Sequence, residues 1–107
     1  MFKFLDGIFN NDNKYHYDAV NKKLREVETM FDELINICDK GADKNMCLLK
    51  LDMIKIEVST LYQLIFEREY TVNAKYWIKG EQRNGMQLKM LFDYMTCALE
   101  NAINTKK

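Results

Sequence analysis

The stretch "CLLKLDMIKIEVSTLYQLI", residues 47–65, decides the fold. Its principal apolar residues recur at spacings of 4, 3, 4, 3 and 4, which places them on one face of an α-helix. They are Cys47, Leu51, Ile54, Val58, Leu61 and Ile65. Four further apolar residues widen this face, so we expect the helix to be buried on more than one side. These are Leu48, Leu49, Met53 and Ile56.

The preceding stretch "VNKKLREVETMFDELINIC", residues 20–38, has the same spacing of apolar residues. Its stripe consists of Val20, Leu24, Val27, Phe31, Leu34 and Cys38. Between the two stripes, Gly41 can take the left-handed conformation that ends a helix, and Asp43 can cap the next one. Because the turn is short, the two stripes predict an antiparallel helical hairpin over about residues 15–66.

The remaining segments extend this hairpin. Residues 68–85 break the helical period and are compatible with a helix extension, a short strand or a packed loop. A third stripe then predicts a C-terminal helix, and we expect a short N-terminal helix before the hairpin. The third stripe consists of Leu88, Leu91, Met95, Ala98 and Ala102. The sequence therefore predicts one all-α domain over residues 1–107, with a C-terminal extension over about 70–107. Heptad-like spacing also favours packing between subunits, so we expect a homo-oligomer.

Composition narrows the possible partners. Sixteen Lys plus Arg balance sixteen Asp plus Glu, so the chain lacks the long-range positive field that binding to DNA or RNA polymers uses. The apolar runs are far shorter than the roughly 20 residues that cross a bilayer, so we expect no membrane span. The first ten residues make a poor signal peptide, and we expect a cytoplasmic protein. A weaker alternative uses "MFKFLDGIF" as an interfacial helix, whose membrane binding would be marginal.

Catalytic and metal-binding patterns are missing from the sequence. There is no GxSxG, HExxH or GxxxxGK motif, and His16 is the single histidine. Cys38, Cys47 and Cys97 are an odd number without CxxC spacing, and each falls in an apolar stripe, where a free thiol behaves as a small hydrophobic group. We therefore expect no enzymatic activity, no metal and no cofactor.

A group of cations lies beside aromatic residues in "YDAVNKKLRE", residues 17–26. Aromatic faces stack on bases, and Lys and Arg pair with phosphate, so the combination is typical of a nucleotide site. The candidate ligand-binding residues are Phe9, Tyr15, Tyr17, Lys22, Lys23 and Arg25. A solvated helix face is the other interpretation, because Lys22 lies four positions from both Asp18 and Glu26 and can pair with either.

A resemblance to a known family adds to the nucleotide interpretation. "YDAVNKKLRE" resembles the Tyr, acidic, Ala, Ile or Val, then Lys and Arg-Glu pattern that opens the helical hairpin domain of phage anti-CBASS and anti-Thoeris cyclic-nucleotide sponges. "CDKGADKNMCLLKLD", residues 38–52, is similar to the segment after that family's first helix, where a Lys-Leu-acidic triplet follows a turn. The resemblance covers about residues 15–66.

This resemblance implies a small helical protein that assembles into oligomers. Such proteins sequester cyclic di- or trinucleotide second messengers without cleaving them, and so block anti-phage signalling in the host cytoplasm. The resemblance implies that Tyr15 or Tyr17 stacks on a base and that Lys23 holds phosphate, with Lys22 and Arg25 as neighbours.

The alternative prediction is a non-enzymatic helical bundle that binds another protein. An immunity protein, a secretion chaperone and an inhibitor of a host factor are examples of this class. Seven methionines and twelve Phe plus Tyr residues would provide an adaptable apolar surface for such a partner.

Overall fold

The computed structural model of the chain describes the backbone of residues 2–106 and the side chains of residues 12–106. Helix α1 spans Phe2–Asp39 and helix α2 spans Lys44–Phe66. A short helix α3, Glu69–Asn73, leads into strands β1, Tyr76–Ile78, and β2, Glu81–Arg83. Helix α4, Gly85–Asn104, completes the bundle. The all-α prediction is confirmed, with one small β-hairpin inserted between α3 and α4.

The core begins at the seam where α1 packs against α2. All six residues of the predicted α2 stripe are buried, and so are the α1 stripe residues from Val20 to Leu34. Cys38, the last residue of the α1 stripe, is half-buried and packs against the same core. Both stripes are therefore confirmed, because each helix covers the apolar face of the other.

The turn between α1 and α2 has the predicted chemistry. Gly41 has a φ of 87°, in the left-handed region where glycine carries no Cβ penalty. The Asp43 side chain accepts a hydrogen bond of 2.8 Å from the Met46 backbone N–H, which caps the first turn of α2. The left-handed Gly41 and the Asp43 cap together reverse the chain and produce the antiparallel hairpin.

The sequence predicted a separate N-terminal helix, but this segment is the first part of α1. The backbone of α1 is helical without a break from Phe2 to Asp39. Gly7 interrupts the apolar pattern without removing a backbone hydrogen bond, and glycine costs an α-helix only about 1 kcal/mol relative to alanine. The chain also has no proline, which would break a helix in its interior.

Residues 68–85 combine a short helix with a β-hairpin. The buried Thr71 hydroxyl donates to the Ile65 carbonyl at 2.7 Å, which folds α3 back onto the end of α2. The Tyr76 hydroxyl donates to the Thr71 carbonyl at 2.6 Å and ties β1 to α3. Lys79 and Gly80 form a two-residue turn with φ values of 53° and 80°, as a tight hairpin requires.

Helix α4 follows the predicted stripe in its first half and departs from it in its second half. Leu88 is buried, and Leu91 and Met95 pack against the core. Ala98 and Ala102, the other two predicted residues, are exposed. Phe92 and Ile103 are buried instead, and the Phe92 ring stacks on Phe31 of α1 with centroids 5.6 Å apart. The prediction was wrong for the two alanines because the larger side chains bury more apolar area and orient the helix.

The start of α4 packs closely against the end of α2 and against α3. Gly85 is buried, and a Cβ atom there would lie 2.6 Å from Ile65 Cγ2 and 2.9 Å from the Val72 carbonyl oxygen. Asn84 and Gln87 form a capping box that ends the β-hairpin and begins the helix. Within residues 2–106, no helix is both long and apolar enough to cross a bilayer.

Candidate functional site

Lys23, the residue predicted to hold phosphate, lies between two carboxylates. Its Nζ is 2.7 Å from Glu57 Oε2 on α2 and 2.9 Å from Glu26 Oε2 on α1. The hydrogen bonds to Glu57 and then to Glu26 raise the pKa of Lys23, and the Lys23 ammonium in turn lowers the pKa of Glu26. Within one chain, the positive charge of Lys23 is therefore compensated, and the ion pair links α1 to α2.

The neighbouring cations differ from each other. Arg25 Nη1 is 2.8 Å from Glu28 Oε1, and its Nη2 donates to the backbone carbonyl of Trp77. Arg25 therefore connects α1 to strand β1. Lys22 is exposed, and among the described side chains it makes no ion pair. It is the member of the group whose charge is open to solvent.

The candidate aromatic residues also separate into two kinds. Tyr15 is 75% exposed. Tyr17 is half-buried, stacks on the Tyr76 ring at 5.2 Å, and donates its hydroxyl to the Lys75 carbonyl at 2.9 Å. Tyr17 thus fastens the β-hairpin region to α1. The side chain of Phe9, the remaining aromatic candidate, lies outside the described side chains.

The candidate ring and the candidate cations line two different hollows. Tyr17 lines a hollow of about 600 Å³ with residues of α3 and the segment that follows it. Lys23 and Arg25 line a second hollow of about 550 Å³, which also contains three glutamates. Those glutamates are Glu26, Glu33 and Glu57. One chain therefore does not bring Tyr17 and Lys23 together at a single opening.

The outward face of α2 carries an apolar surface, which we call the outer α2 stripe and define as Met46, Leu49, Met53 and Ile56. Leu49 is 64% exposed, Met53 52% and Ile56 67%. The sequence had predicted burial for these three residues, which was wrong because, among the described residues, α1 and α4 pack on other faces of α2 and leave these side chains exposed. Their spacing of 3, 4 and 3 is a periodic signal of its own, about half a turn away from the buried stripe.

Helix α4 has a similar outward face. Met86, Met90 and Tyr94 are 50%, 69% and 73% exposed. Cys97 lies on the same face and is also exposed, so its predicted place in a buried stripe was wrong. Spacings of four and three residues align these side chains along α4. The bundle thus presents two apolar helix faces to solvent.

A groove of about 430 Å³ lies between α2 and α4. The Tyr62 hydroxyl lies 2.8 Å from Asp93 Oδ1, and Lys89 Nζ is 2.7 Å from Asp93 Oδ2. Burial, followed by the hydrogen bond to Asp93, raises the pKa of Tyr62 well above its usual range. The Lys89 ammonium lowers the pKa of Asp93. These groups satisfy one another and hold α2 to α4.

Comparisons with known proteins provide no relative for this chain. No family model matches the sequence, and neither curated proteins nor solved structures show a match. In the described part of the chain, no group of three or more His, Cys, Asp or Glu side chains is placed to hold a metal ion.

The ion pairs of Lys23 predict a structural role that can be measured. We expect Lys23→Met to lower the free energy of unfolding by up to about 1 kcal/mol at neutral pH, the range of partly exposed ion pairs. Because the folded pKa of Lys23 is raised, this contribution is fully present below the unfolded pKa of about 10.5 and is lost as pH rises through the folded pKa. Urea unfolding from pH 7 to 11 measures the difference.

Lys22→Met is the matched control, since it removes the adjacent charge without breaking an ion pair in the described structure. Its unfolding free energy should stay within about 0.5 kcal/mol of the unsubstituted chain. Equal losses in the two variants would show that the Lys23 ion pairs contribute nothing specific.

Proposed function

We propose that the protein is a non-enzymatic binding module that presents the outer α2 stripe to an amphipathic helix of another polypeptide. The single observation that carries this proposal is the exposure of Leu49, Met53 and Ile56 on one face of a well-anchored helix. Contiguous exposed apolar surfaces mark interaction sites, whereas single scattered apolar side chains do not. This is the protein-binding class that the sequence left open.

The pattern of the stripe favours a helical partner. Its spacing of 3, 4 and 3 residues is that of the contact positions of a coiled coil, so knobs from a second helix can pack along it. Two of the four side chains are methionines, whose flexible thioethers adapt to different partners. An amphipathic helix that binds such a surface presents apolar residues with the same spacing of three and four.

Charges beside the stripe distinguish a foreign partner from a second copy. An antiparallel two-fold pairing would place Met46 opposite Ile56 and Leu49 opposite Met53 of the other copy. On one flank, Lys50 would lie near Lys50 of the other copy. On the opposite flank, Asp52 would lie near Asp52 of the other copy. Like charges at these flanking positions destabilise the pair, so the charges favour a partner with acidic residues facing Lys50 and basic residues facing Asp52.

The predicted homo-oligomer remains a prediction, and sedimentation equilibrium of the purified chain tests it. The same measurement on Leu49→Glu shows whether any self-association uses the outer α2 stripe. A monomer over the micromolar range would agree with a foreign partner.

Binding to a defined helical probe tests the proposed function. The probe is a fluorescent three-heptad peptide with leucines at its contact positions, glutamates on the flank facing Lys50 and lysines on the flank facing Asp52. We expect Leu49→Glu or Met53→Glu to weaken its binding at least tenfold, because a charge in the contact line must be desolvated. Fluorescence anisotropy measures the dissociation constants.

Gln82→Glu, an exposed substitution on strand β2 and so outside α2, is the matched control and should leave binding unchanged. A peptide with the two flanks exchanged should bind more weakly to the unsubstituted chain. The proposal fails if the probe does not bind, or if Gln82→Glu weakens it as much as Leu49→Glu does.

Binding of a cyclic nucleotide is a second candidate function, supported by the hollow that Tyr17 lines. Its other lining residues include the exposed Tyr70, Asn73 and Lys75, which offer an aromatic ring, an amide and a cation. A volume of about 600 Å³ is within the usual range of small-molecule sites. This candidate site retains Tyr17 from the sequence prediction, with Lys75 in place of Lys23 as the cation that would contact phosphate.

Calorimetry with a panel of cyclic di- and trinucleotides tests this candidate. We expect Tyr70→Ala to weaken binding by about 1 to 3 kcal/mol, the contribution of one stacked base, and Lys75→Ala to weaken it through loss of a phosphate contact. Lys22→Ala is the control. The recovered nucleotide should be unchanged, and the absence of heat with every nucleotide would exclude the candidate.

A further inference from the structure

Two cysteines meet across the turn that joins α1 to α2. Cys38 Sγ and Cys47 Sγ are 3.0 Å apart, and both residues are free thiols. A disulfide bond is about 2.05 Å long, so a shift of about 1 Å would bring the two sulfurs to bonding distance. Helical stripes at either end of the same turn position these side chains, which are nine residues apart in sequence.

The two thiols differ in their access to solvent. Cys47 is fully buried. Cys38 is half-buried and lines a hollow of about 220 Å³ between the ends of α1 and α4, together with Leu99 and Lys106. A small disulfide reagent can therefore meet Cys38 through this hollow, whereas Cys47 has no surface exposed to solvent.

We propose that Cys38 and Cys47 form a reversible two-cysteine redox site that reacts with low-molecular-weight disulfides such as oxidised glutathione. The Cys38 thiolate attacks one sulfur of glutathione disulfide, and the first glutathione leaves as a thiolate that takes up a proton. The Cys47 sulfur, after losing its proton, then attacks Cys38 Sγ and releases the second glutathione. Two cysteine thiols lose two electrons and two protons, and glutathione disulfide gains both.

The environment of Cys38 makes this reaction slow at neutral pH. Burial, and then the hydrogen bond with Cys47, raises the pKa of the Cys38 thiol to about 11. The Asp39 carboxylate acts in the same direction, and the Lys106 ammonium opposes it. Because the thiolate is the attacking species, the rate should rise about tenfold per pH unit below this pKa.

The bond would lock one end of the helical hairpin. It would join the last turn of α1 to the first turn of α2 around Gly41, where the Lys106 ammonium already donates to the Ala42 carbonyl at 2.8 Å. Closing this loop restricts the unfolded chain, so the oxidised form should be more stable to heat. The site is separate from the outer α2 stripe and does not depend on the proposed function.

The test uses the full chain carrying Cys97→Ser, which removes the exposed thiol that would otherwise compete. After equilibration with oxidised glutathione, the intact mass should fall by two hydrogen atoms. Trypsin, which cleaves after lysine and arginine, should release residues 26–40 joined to residues 45–50. The midpoint of thermal unfolding should rise by on the order of 10 °C, and dithiothreitol should reverse each change.

Two variants in the Cys97→Ser background complete the test. Cys38→Ser should remain fully reduced, and Cys47→Ser should retain one glutathione on Cys38. The proposal is overturned if both thiols stay free after equilibration at pH 9, or if the joined peptides form only once denaturant has unfolded the chain. It is also overturned if Cys47, rather than Cys38, carries the glutathione.

Discussion

Burial of the α1 and α2 stripes against each other is the constraint on which the rest of the structure depends. The residues from Val20 to Leu34 and from Cys47 to Ile65 form a continuous apolar seam. Helix α4 adds to this seam through the Phe31–Phe92 stack, and Tyr76 and Ile78 of β1 bury their side chains in the same core. Burying each large apolar side chain contributes about 1.5 to 3 kcal/mol, so the seam outweighs the ion pairs around it.

The seam also explains which polar groups remain available for binding. Lys23 and Arg25, which the sequence suggested for phosphate, cross from α1 to Glu57 and to the Trp77 carbonyl. Tyr17 similarly reaches the Lys75 carbonyl. These side chains brace the elements that surround the seam, and the apolar faces of α2 and α4 that point away from it remain exposed. The surfaces that remain free to bind a partner are therefore these apolar helix faces, not the predicted cation group.

Much of the fold could be predicted from the sequence because local and tertiary preferences agree. In α2, every predicted stripe residue is buried, since an apolar side chain occupies each position of the period. In α4, Ala98 and Ala102 fit the helical period as well as Phe92 and Ile103 do, so periodicity alone could not show which of them are buried. Residues 68–85 were ambiguous because the hydrogen bonds of Thr71 and Tyr76 to backbone carbonyls determine their path.

The candidate site was less predictable than the fold. Glu57 lies 34 residues from Lys23, so the sequence alone could not show that its carboxylate would neutralise the lysine. Leu49, Met53 and Ile56 of the outer α2 stripe were predicted to be additional core because α2 is apolar on both sides. Its separate period could have been recognised, but only packing shows that α1 and α4 leave that face uncovered. Similarly, the nearness of Cys38 to Cys47 depends on the turn geometry around Gly41.

Native-state hydrogen exchange at low denaturant concentrations tests the central role of the seam most directly. If the seam has this role, backbone amides in residues 20–34 and 47–65 exchange only through one common opening, with the free energy of global unfolding. Amides of α4 then exchange at the same or a lower free energy. Protection of α4 that persists after the amides of α1 and α2 have exchanged would contradict it.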